Sequence, residues 1–348
     1  MKAFVTGSTG FLGNNLVHLL LEQRYSVKAL VRSPKKADTT FKSLPVTRIQ
    51  GDMGNLDRFA SELQGCDILF HCAAYFREYY QPGSHWEQLE RINIRGTVKL
   101  LEAAEQAGIR KVIYISSAGI IGKNKNGIPG DETTPPNAIS NENLYFKSKL
   151  LAEQAIEAFL QHHSLSVVSI LPGWMFGPRD FSPTDSGRLV LNFLKQKLPG
   201  IVPGGTTVVD VRDVAQVAID AIERGQRGER YLVAGTYLSM EKIFKTLAEV
   251  TGIPAPKQHL PYFLLLLLAG FSETYGRLSG KPILLSRAGI QNMKANKRVT
   301  SAKAMRELGV TFRPFHETLR DEVSWFQENP DLFGLRLSES QKMNLKKN

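Results

Sequence analysis

The sequence Gly7-Ser8-Thr9-Gly10-Phe11-Leu12-Gly13 follows a short apolar run, Lys2 to Thr6, and opens a segment with apolar residues at helical spacing, Leu12 to Glu22. Three glycines spaced G-x-x-G-x-x-G between a strand and a helix predict a turn whose backbone can approach a pyrophosphate. The N–H groups at the start of that helix would then face the phosphates. We therefore predict a dinucleotide site at Gly7, Thr9, Gly10, Phe11, Leu12 and Gly13.

Strand-like and helix-like segments alternate through the first half of the chain. Strands that alternate with helices form parallel sheets with right-handed crossovers, covered on both faces. We therefore predict an α/β fold, a Rossmann-type doubly wound parallel sheet. Further strands are expected at 26–31, 46–49, 68–70, 111–116 and 166–171, and the longest helices at 86–107 and 145–162.

The rhythm changes after Leu171, where five prolines precede residue 204. Strand-like pieces at 206–209 and 231–233 flank a helical segment at 214–224, and the chain from residue 239 is almost all helical. Because ligands of open α/β sheets bind at the carboxyl ends of the strands, we expect a smaller, mostly helical C-terminal substrate lobe there. The predicted division is a dinucleotide-binding domain at 1–170 with 205–235 returning to it, a lobe of 171–204 and 236–330, and a basic tail at 331–348.

Composition narrows the functional class. The chain has 348 residues, is 42% hydrophobic and carries a formal net charge of +11, which suits a phosphate-bearing ligand. We find no basic motif interleaved with aromatic residues, so nucleic acid is not an expected partner. Only Cys66 and Cys72 are cysteines, and no metal-ligand spacing occurs, so neither a disulfide framework nor a metal site is expected. This cysteine usage and the lack of a signal-peptide pattern predict a cytoplasmic protein.

An intensely apolar run extends from Tyr262 to Ala269. It has roughly half of the ~20 residues needed to span a bilayer. A buried helix or an apolar wall of the substrate pocket is the favoured interpretation. Contact with a membrane surface is the alternative, because a moderate apolar stretch with basic neighbours is what such contact requires.

The end of the second strand commonly selects the cofactor in folds of this kind. An acidic side chain there would bind the ribose 2′-hydroxyl of NAD. This chain has Arg32 instead, followed by Ser33-Pro34-Lys35-Lys36. Arginine matches a phosphate with two parallel donors, so Arg32 and Lys36 favour NADP over NAD. A solvated basic turn is the alternative interpretation of the same residues.

A Tyr-x-x-x-Lys pattern, Tyr145 to Lys149, begins a helical segment. Residues four apart share one helix face, and a nearby ammonium lowers the pKa of a phenol, as a general acid/base requires. Upstream, Ile113-Tyr114-Ile115-Ser116-Ser117-Ala118-Gly119 ends a strand, so Ser117 could hydrogen-bond a substrate carbonyl beside the phenol. A strand-end cap is the alternative role of either serine.

With these features together, the chain resembles the extended short-chain dehydrogenases/reductases, whose phosphate loop and catalytic triad match the glycine loop, Ser117, Tyr145 and Lys149. Within that group it is most similar to the dihydroflavonol 4-reductase-like branch, with kinship to 3β-hydroxysteroid dehydrogenases and hopanoid-associated sugar epimerases. The resemblance extends to about residue 330. The segments that carry it are His71-Cys72-Ala73-Ala74, Asn93-Ile94-Arg95-Gly96-Thr97, Pro172-Gly173-Trp174-Met175-Phe176-Gly177-Pro178, Val209-Asp210-Val211-Arg212-Asp213-Val214-Ala215, 302–309 and Ser324-Trp325-Phe326.

The resemblance implies a role for each matched residue. Tyr145 would exchange a proton with the substrate oxygen, Lys149 would hold the nicotinamide ribose, and Ser117 would orient the carbonyl. Asn93 would support the lysine through water. The other implied cofactor contacts are Asp52 and Met53 at the adenine, Cys72, Ala73 and Ala74 along the cofactor, and Pro172 and Gly173 at the nicotinamide.

The leading hypothesis is an NADP-dependent oxidoreductase that moves a hydride between nicotinamide and a ketone or secondary alcohol of a fairly apolar small molecule. A sugar or sugar-nucleotide epimerase with tightly held NAD(P) is the first alternative. A non-catalytic NAD(P) sensor that binds a partner is the second, although such relatives usually lose the tyrosine or the lysine. The resemblance disfavours 4,6-dehydration, because Ala118-Gly119 stands where those enzymes carry an acidic pair. A homodimer would be common for this family.

Overall fold

The computed structural model describes residues 1–76, 85–124, 127–136, 143–279, 290, 294 and 296–335. Its strands are β1 (Lys2–Thr6), β2 (Ser26–Val31), β3 (Thr47–Gln50), β4 (Ile68–His71), β5 (Lys111–Ile115), β6 (Ser166–Pro172), β7 (Trp174–Phe176), β8 (Gly205–Asp210), β9 (Arg230–Val233) and β10 (Thr236–Ser239). Within this described part, seven parallel strands form one sheet in the order β3-β2-β1-β4-β5-β6-β9. The order reverses between β1 and β4, and ligands of such sheets bind beyond the carboxyl ends of the strands at that point.

Helices cover both faces of the large sheet. Neighbouring residues of each strand point to opposite faces, so each strand contributes side chains to two cores. Val5 belongs to the core on one face, with Leu16 and Val214. Phe4 belongs to the core on the other face, with Leu100. This arrangement confirms the predicted doubly wound α/β fold. The helices are α1 (Phe11–Glu22), α2 (Pro34–Phe41), α3 (Trp86–Leu89), α4 (Gly96–Gln106), α5 (Leu144–Leu160), α6 (Asp185–Leu194), α7 (Val211–Arg224), α8 (Met240–Thr251), α9 (Tyr262–Ser279), α10 (Ala302–Leu308), α11 (Phe315–Glu328) and α12 (Pro330–Phe333).

A second, three-stranded sheet, in the order β10-β8-β7, lies in the C-terminal half. Its strands share a core with α6, α8 and α11, in which Phe176, Phe244 and Phe326 are fully buried. The strand β8 therefore belongs to the small sheet. The following helix α7 packs against the large sheet, and β9 is one of the strands of that sheet. The predicted division into two domains stays a prediction. Of the predicted basic tail at 331–348, residues 336–348 lie outside the described residues.

The helix α9 contains the apolar run that was expected to be buried or to line a pocket. Only one of its faces is buried, with Leu265 at 1% and Ala269 at 0% exposure. The opposite face leaves Phe263 67% and Phe271 73% exposed to solvent, so the expectation of a buried helix is wrong for that face. Among the described residues, no helix is both long and apolar enough to cross a membrane.

Candidate active site

The glycine loop is shaped by its contact with the end of the neighbouring strand β4. Gly7 has φ +65°, and a Cβ atom there would lie 2.7 Å from the backbone N of Ala73. A Cβ atom on Gly13 would collide with the carbonyl of Gly7, so the start of α1 packs directly on the loop. The Gly10 N–H closes the turn by donating to Gly7 O at 2.8 Å. Only glycine satisfies both the left-handed angle and the close approach at position 7.

The first turn of α1 offers an anion its free N–H groups. Gly10 is the N-cap and provides no capping side chain, and the described first turn contains no acidic residue. The N–H groups at the start of a helix lack intrahelical partners and carry the positive end of the helix dipole. This geometry fits the dinucleotide phosphates predicted for Gly7 to Gly13, with Thr9 at the loop surface.

The basic residues after β2 lie beside the predicted adenine contacts. Arg32 Nη1 is 3.9 Å from Asp52 Oδ2, and both side chains are well exposed. Ser33 caps the helix α2 by accepting a hydrogen bond from Lys36 N at 3.3 Å, which places the half-buried Lys36 on the first turn. Met53 is different, because its side chain is buried in the core against Phe59. Of the two predicted adenine contacts, Asp52 alone presents an exposed side chain.

A buried chain of polar side chains connects β1 to the helix before β5. Thr6 Oγ1 lies 2.8 Å from His71 Nδ1, and His71 Nε2 lies 3.0 Å from Thr97 Oγ1. Thr97 in turn donates to Asn93 O at 2.7 Å. Burial lowers the pKa of His71 to about 3, so this imidazole stays neutral and serves as a structural link. The sequence pattern assigned no role to Thr6 or Thr97.

Asn93 lies in a π-helical segment, Glu90–Arg95, between α3 and α4. Its side chain is buried and accepts from Tyr75 N at 2.7 Å, while its amide donates to Ser148 Oγ at 3.0 Å. Ser148 Oγ donates to Tyr145 O at 2.7 Å. Asn93 thus supports the predicted catalytic helix through Ser148, one residue before Lys149. Its support of the lysine through water stays a prediction. A π-bulge often marks a functional site.

Tyr145 and Lys149 lie one turn apart on the helix α5. Asn143 caps this helix by accepting from Tyr145 N and Phe146 N, each at 3.1 Å. The Tyr145 ring packs 4.6 Å from the Phe76 ring, measured between centroids. Lys149 is 3% exposed, and its ammonium donates to Ile115 O at 2.6 Å. The motif therefore places both residues on one turn of α5, as its helical spacing predicts, with the Lys149 ammonium at the end of β5.

The pKa values of this pair differ from the sequence-based expectation. Burial lowers the pKa of Lys149 to about 8, partly offset by Glu153 and Cys72. Burial raises the pKa of Tyr145 above its ordinary value. In the described part of the chain, the Lys149 ammonium hydrogen-bonds Ile115 O and the Tyr114 hydroxyl, the latter at 3.3 Å. Burial therefore sets the direction of the Tyr145 pKa shift, opposite to the lowering expected from the motif.

The two serines at the end of β5 have different surroundings. Ser116 is buried near Glu153, whose pKa is raised by burial against the opposing charge of Arg230. The Glu153 carboxylate lies 2.7 Å from Arg230 Nε. Ser117 is half-buried in extended backbone, and its Oγ accepts from Gly119 N at 3.1 Å. Ser117 thus acts as the strand-end cap. The choice of Ser117 over Ser116 as the residue that orients the carbonyl stays a prediction.

Lys297 fixes the loop that follows Ser117, a role that sequence reasoning missed. Its ammonium donates to Gly119 O at 2.8 Å and to Ile121 O at 2.7 Å. The adjacent backbone pairs with the same region, since Thr300 N donates to Gly130 O at 2.8 Å. Burial lowers the pKa of Lys297 to about 8. A residue of the C-terminal half thus holds the loop of the predicted catalytic serine.

The remaining predicted residues lie at neighbouring strand ends. Gly173 follows β6, and a Cβ atom there would lie 2.7 Å from Ala234 O, so the glycine is required by packing against the end of β9. Burial raises the pKa of the Cys72 thiol to about 12, which makes it an inert lining residue. Ala73 N donates to Thr6 Oγ1 at 3.2 Å. Within the described ranges, no group of three or more metal-ligating side chains occurs.

Comparison with known proteins gives consistent matches along the chain. Residues 3–234 match the model of the NAD dependent epimerase/dehydratase family. A Synechocystis sp. protein provisionally named dihydroflavonol 4-reductase is 35% identical, covering 94% of each chain. Sterol demethylase protein B of Methylococcus capsulatus is 32% identical, covering 94% of this chain and 99% of its own. The crystal structure of gox2253 superposes with a TM-score of 0.80 at 32% identity, covering 94% of this chain and 98% of that one.

Proposed function

The chain belongs to the NAD dependent epimerase/dehydratase family, in the dihydroflavonol 4-reductase-like branch of its extended short-chain dehydrogenases/reductases, and from this membership we propose an NAD(P)-dependent reductase or dehydrogenase of a fairly apolar ketone or secondary alcohol. The observation that carries the proposal is the placement of Tyr145 and Lys149 on one turn of α5. That turn meets the end of β5, at the same sheet edge as the glycine loop.

The glycine cradle fits a dinucleotide. The missing side chains of Gly7 and Gly13 leave room where any Cβ atom would meet backbone, and the uncapped start of α1 offers N–H donors to a pyrophosphate. When bound, the nicotinamide cofactor supplies or accepts the hydride at its C4 atom. Thr9, Cys72, Ala73, Pro172 and Gly173 would line it along the strand ends.

Tyr145 would donate a proton to the carbonyl oxygen as the carbonyl carbon receives the hydride, and would take it back in the reverse direction. Lys149 stays protonated below about pH 8, so its positive charge would stabilise the phenolate left by that transfer. Ser117 would orient the carbonyl by a hydrogen bond. Ser148 and Asn93 hold the first turn of α5, and Lys297 holds the loop after Ser117.

We expect NADP in preference to NAD. Arg32 follows β2 where an NAD-specific enzyme would carry a carboxylate, and the half-buried Lys36 lies in the first turn of α2. The Asp52 carboxylate lies 3.9 Å from the Arg32 guanidinium, so an arriving 2′-phosphate would compete with it for that cation. Arg32→Ala is expected to weaken NADPH binding about tenfold, as loss of one exposed charge-assisted pair implies, and to leave NADH binding nearly unchanged.

The substrate class is supported by two relatives. One carries the name of a flavonoid reductase and the other the name of a sterol-modifying protein, and both names denote chemistry on largely apolar molecules. Neither relative is named as an epimerase. We therefore place a fairly apolar ketone before a nucleotide sugar as the substrate.

The test compares three candidate substrates. Purified protein with NADPH would be offered a 3-ketosteroid, a dihydroflavonol and UDP-glucose, while the absorbance of the reduced nicotinamide is followed. Consumption of NADPH with either apolar ketone, lost in Tyr145→Phe, supports the proposal. Isomerisation of the nucleotide sugar without net change in nicotinamide absorbance would establish the epimerase instead.

A further inference from the structure

The helix α9 concentrates exposed apolar side chains on one face. Seven large hydrophobic residues of this single helix are at least one-third exposed, and the described remainder of the chain contributes only four more. Monomeric proteins rarely leave contiguous apolar surface of this kind uncovered without an interaction partner. The seven are Phe263 67%, Leu264 36%, Leu267 55%, Leu268 43%, Phe271 73%, Tyr275 58% and Leu278 85%.

These side chains form a stripe rather than a scattered set. At 3.6 residues per turn they fall within about 140° of arc, and from residue 263 to residue 278 the stripe is about 22 Å long. The only other residue inside that arc is Thr274, whose hydroxyl donates to Gly270 O at 2.8 Å. The polar group on this face is therefore already satisfied by the helix backbone. The opposite side of α9 packs into the protein through Leu265 and Ala269.

The surrounding sequence is strongly basic. Residues 257–303 contain eight lysines and arginines and one glutamate, which accounts for most of the net charge of +11. Lys297 and Lys303 are engaged inside the protein, on loop carbonyls and on Glu229. Lys294 lies over the ring of Tyr262, 3.7 Å from its centroid, at the start of α9, and the exposed Arg298 lies over Tyr237. Lys257 is exposed five residues before the helix.

We infer that the apolar stripe of α9 docks onto an anionic phospholipid surface. An amphipathic helix that lies in the membrane interface combines such an apolar face with basic flanks that attract acidic headgroups. The helix is not suited to span the bilayer, since no described helix reaches that length and apolarity. This inference does not depend on the proposed reaction.

The charge and the length of this region favour a lipid surface over a second copy of the chain or a small substrate. A second copy of the chain would bring the same basic segment against itself, and like charges oppose that contact. A small substrate would cover only part of a stripe about 22 Å long. An acidic lipid surface is complementary to both the shape and the sign of this region.

The test compares vesicle binding of the full chain and of two matched triple variants. Phe263→Gln, Leu267→Gln and Phe271→Gln together remove three of the seven apolar side chains of the stripe while keeping helix-compatible residues. Ile128→Gln, Met305→Gln and Leu332→Gln together remove three other exposed hydrophobic residues, at 62%, 54% and 54% exposure, as the control. Flotation would be measured with phosphatidylcholine vesicles and with vesicles that also contain phosphatidylglycerol.

The full chain and the control variant are expected to float with the anionic vesicles. The stripe variant should bind at least about tenfold more weakly, because three apolar side chains no longer enter the interface. Changing Lys257, Lys294 and Arg298 to Glu should weaken binding to anionic vesicles more than to neutral ones, and added salt should do the same.

Any of four results would overturn the inference. The full chain does not bind anionic vesicles, or the stripe and control variants lose binding equally. Alternatively, sedimentation velocity shows a dimer that only the stripe variant abolishes, which assigns the face to a second copy. A raised KM for an apolar ketone in the stripe variant, with vesicle binding unchanged, would assign the face to the substrate.

Discussion

The carboxyl edge of the large sheet buries polar side chains, whereas the helix α9 exposes apolar side chains to solvent. At the edge, His71, Asn93 and Lys149 are at most 3% exposed, and each makes hydrogen bonds within the protein. On α9, apolar side chains such as Phe271 face solvent. Buried polar groups persist only when they are hydrogen-bonded, whereas an exposed apolar face needs an external partner. The edge is therefore an internal site and α9 an external surface.

Removal of one oxygen atom at the edge should have the largest effect. Tyr145→Phe keeps the ring contact with Phe76 and deletes only the group that exchanges the proton. We expect kcat to fall by about 10³-fold, within the range for a lost general acid, while the Kd for NADPH stays unchanged. Stopped-flow hydride transfer and a fluorescence titration measure the two quantities. Equal losses in both would mean that the tyrosine binds rather than reacts.

The glycine loop permits a matched comparison of two glycines. Gly7 and Gly65 have similar positive φ angles, +65° and +69°, but only Gly7 has a backbone atom within reach of an added Cβ. Gly7→Ala should therefore lower the free energy of unfolding by about 3 kcal/mol, and Gly65→Ala by about 1 kcal/mol from the backbone angle alone. Urea denaturation measures both. Equal costs would show that the contact with Ala73 N does not constrain the loop.

The fold and the centre of the site could be predicted because their signals are local. The G-x-x-G-x-x-G spacing and Tyr-x-x-x-Lys each fall within seven residues, and strand–helix alternation needs no long-range information. The supporting residues could not be predicted in this way. Thr6, Thr97 and Ser148 act through partners far apart in sequence, and Lys297 reaches a loop 178 residues upstream.

The two faces of α9 offer a comparison within one helix. Leu265 is 1% exposed and Leu278 is 85% exposed. Leu265→Ala should lower the free energy of unfolding by about 2 kcal/mol, because it opens a cavity in the small core beneath the helix. Leu278→Ala should change it by less than about 0.5 kcal/mol. A substantial loss of stability from Leu278→Ala in urea denaturation would mean that the exposed face is covered within the chain.

The orientation of α9 lay beyond sequence analysis for a physical reason. Leu264 to Leu268 is an unbroken run of leucine, so apolar residues occupy every side of the helix there and no stripe is visible. The preference for a buried helix followed from that uniform apolarity. Packing against Ile290 and Leu260 decides which face is buried, and that contact is set by the tertiary fold.

Lys297 joins the C-terminal half of the chain to the loop after Ser117, and its replacement should have a smaller effect. Lys297→Met leaves the carbonyls of Gly119 and Ile121 without their donor, so the loop after Ser117 should loosen and kcat should fall about tenfold. Lys297→Arg restores a cationic donor and should recover part of the loss. A KM change without a kcat change in Lys297→Met would contradict a role in positioning Ser117.

The lowered pKa of Lys297 gives a pH prediction with a defined sign. The folded-state pKa of Lys297, about 8, lies below its ordinary value of 10.5, so between these values the unfolded chain holds a proton that the folded chain has released. The stability of the parent protein relative to Lys297→Met should therefore rise as pH increases from about 8 to 10.5, and fall as pH decreases through 8. Urea denaturation across this window, with Lys297→Met as the reference, should show that slope. A flat difference would mean that Lys297 titrates normally.

The central claim is hydride transfer to an apolar ketone with Tyr145 as the proton donor. The most direct measurement follows deuterium from C4-deuterated NADPH into a ketosteroid product by mass spectrometry, in the parent protein and in Tyr145→Phe. The account expects one deuterium on the new carbinol carbon with the parent protein and about 10³-fold slower incorporation with the variant. Equal incorporation rates in the two proteins, or none in the parent protein while UDP-glucose is isomerised, would contradict it.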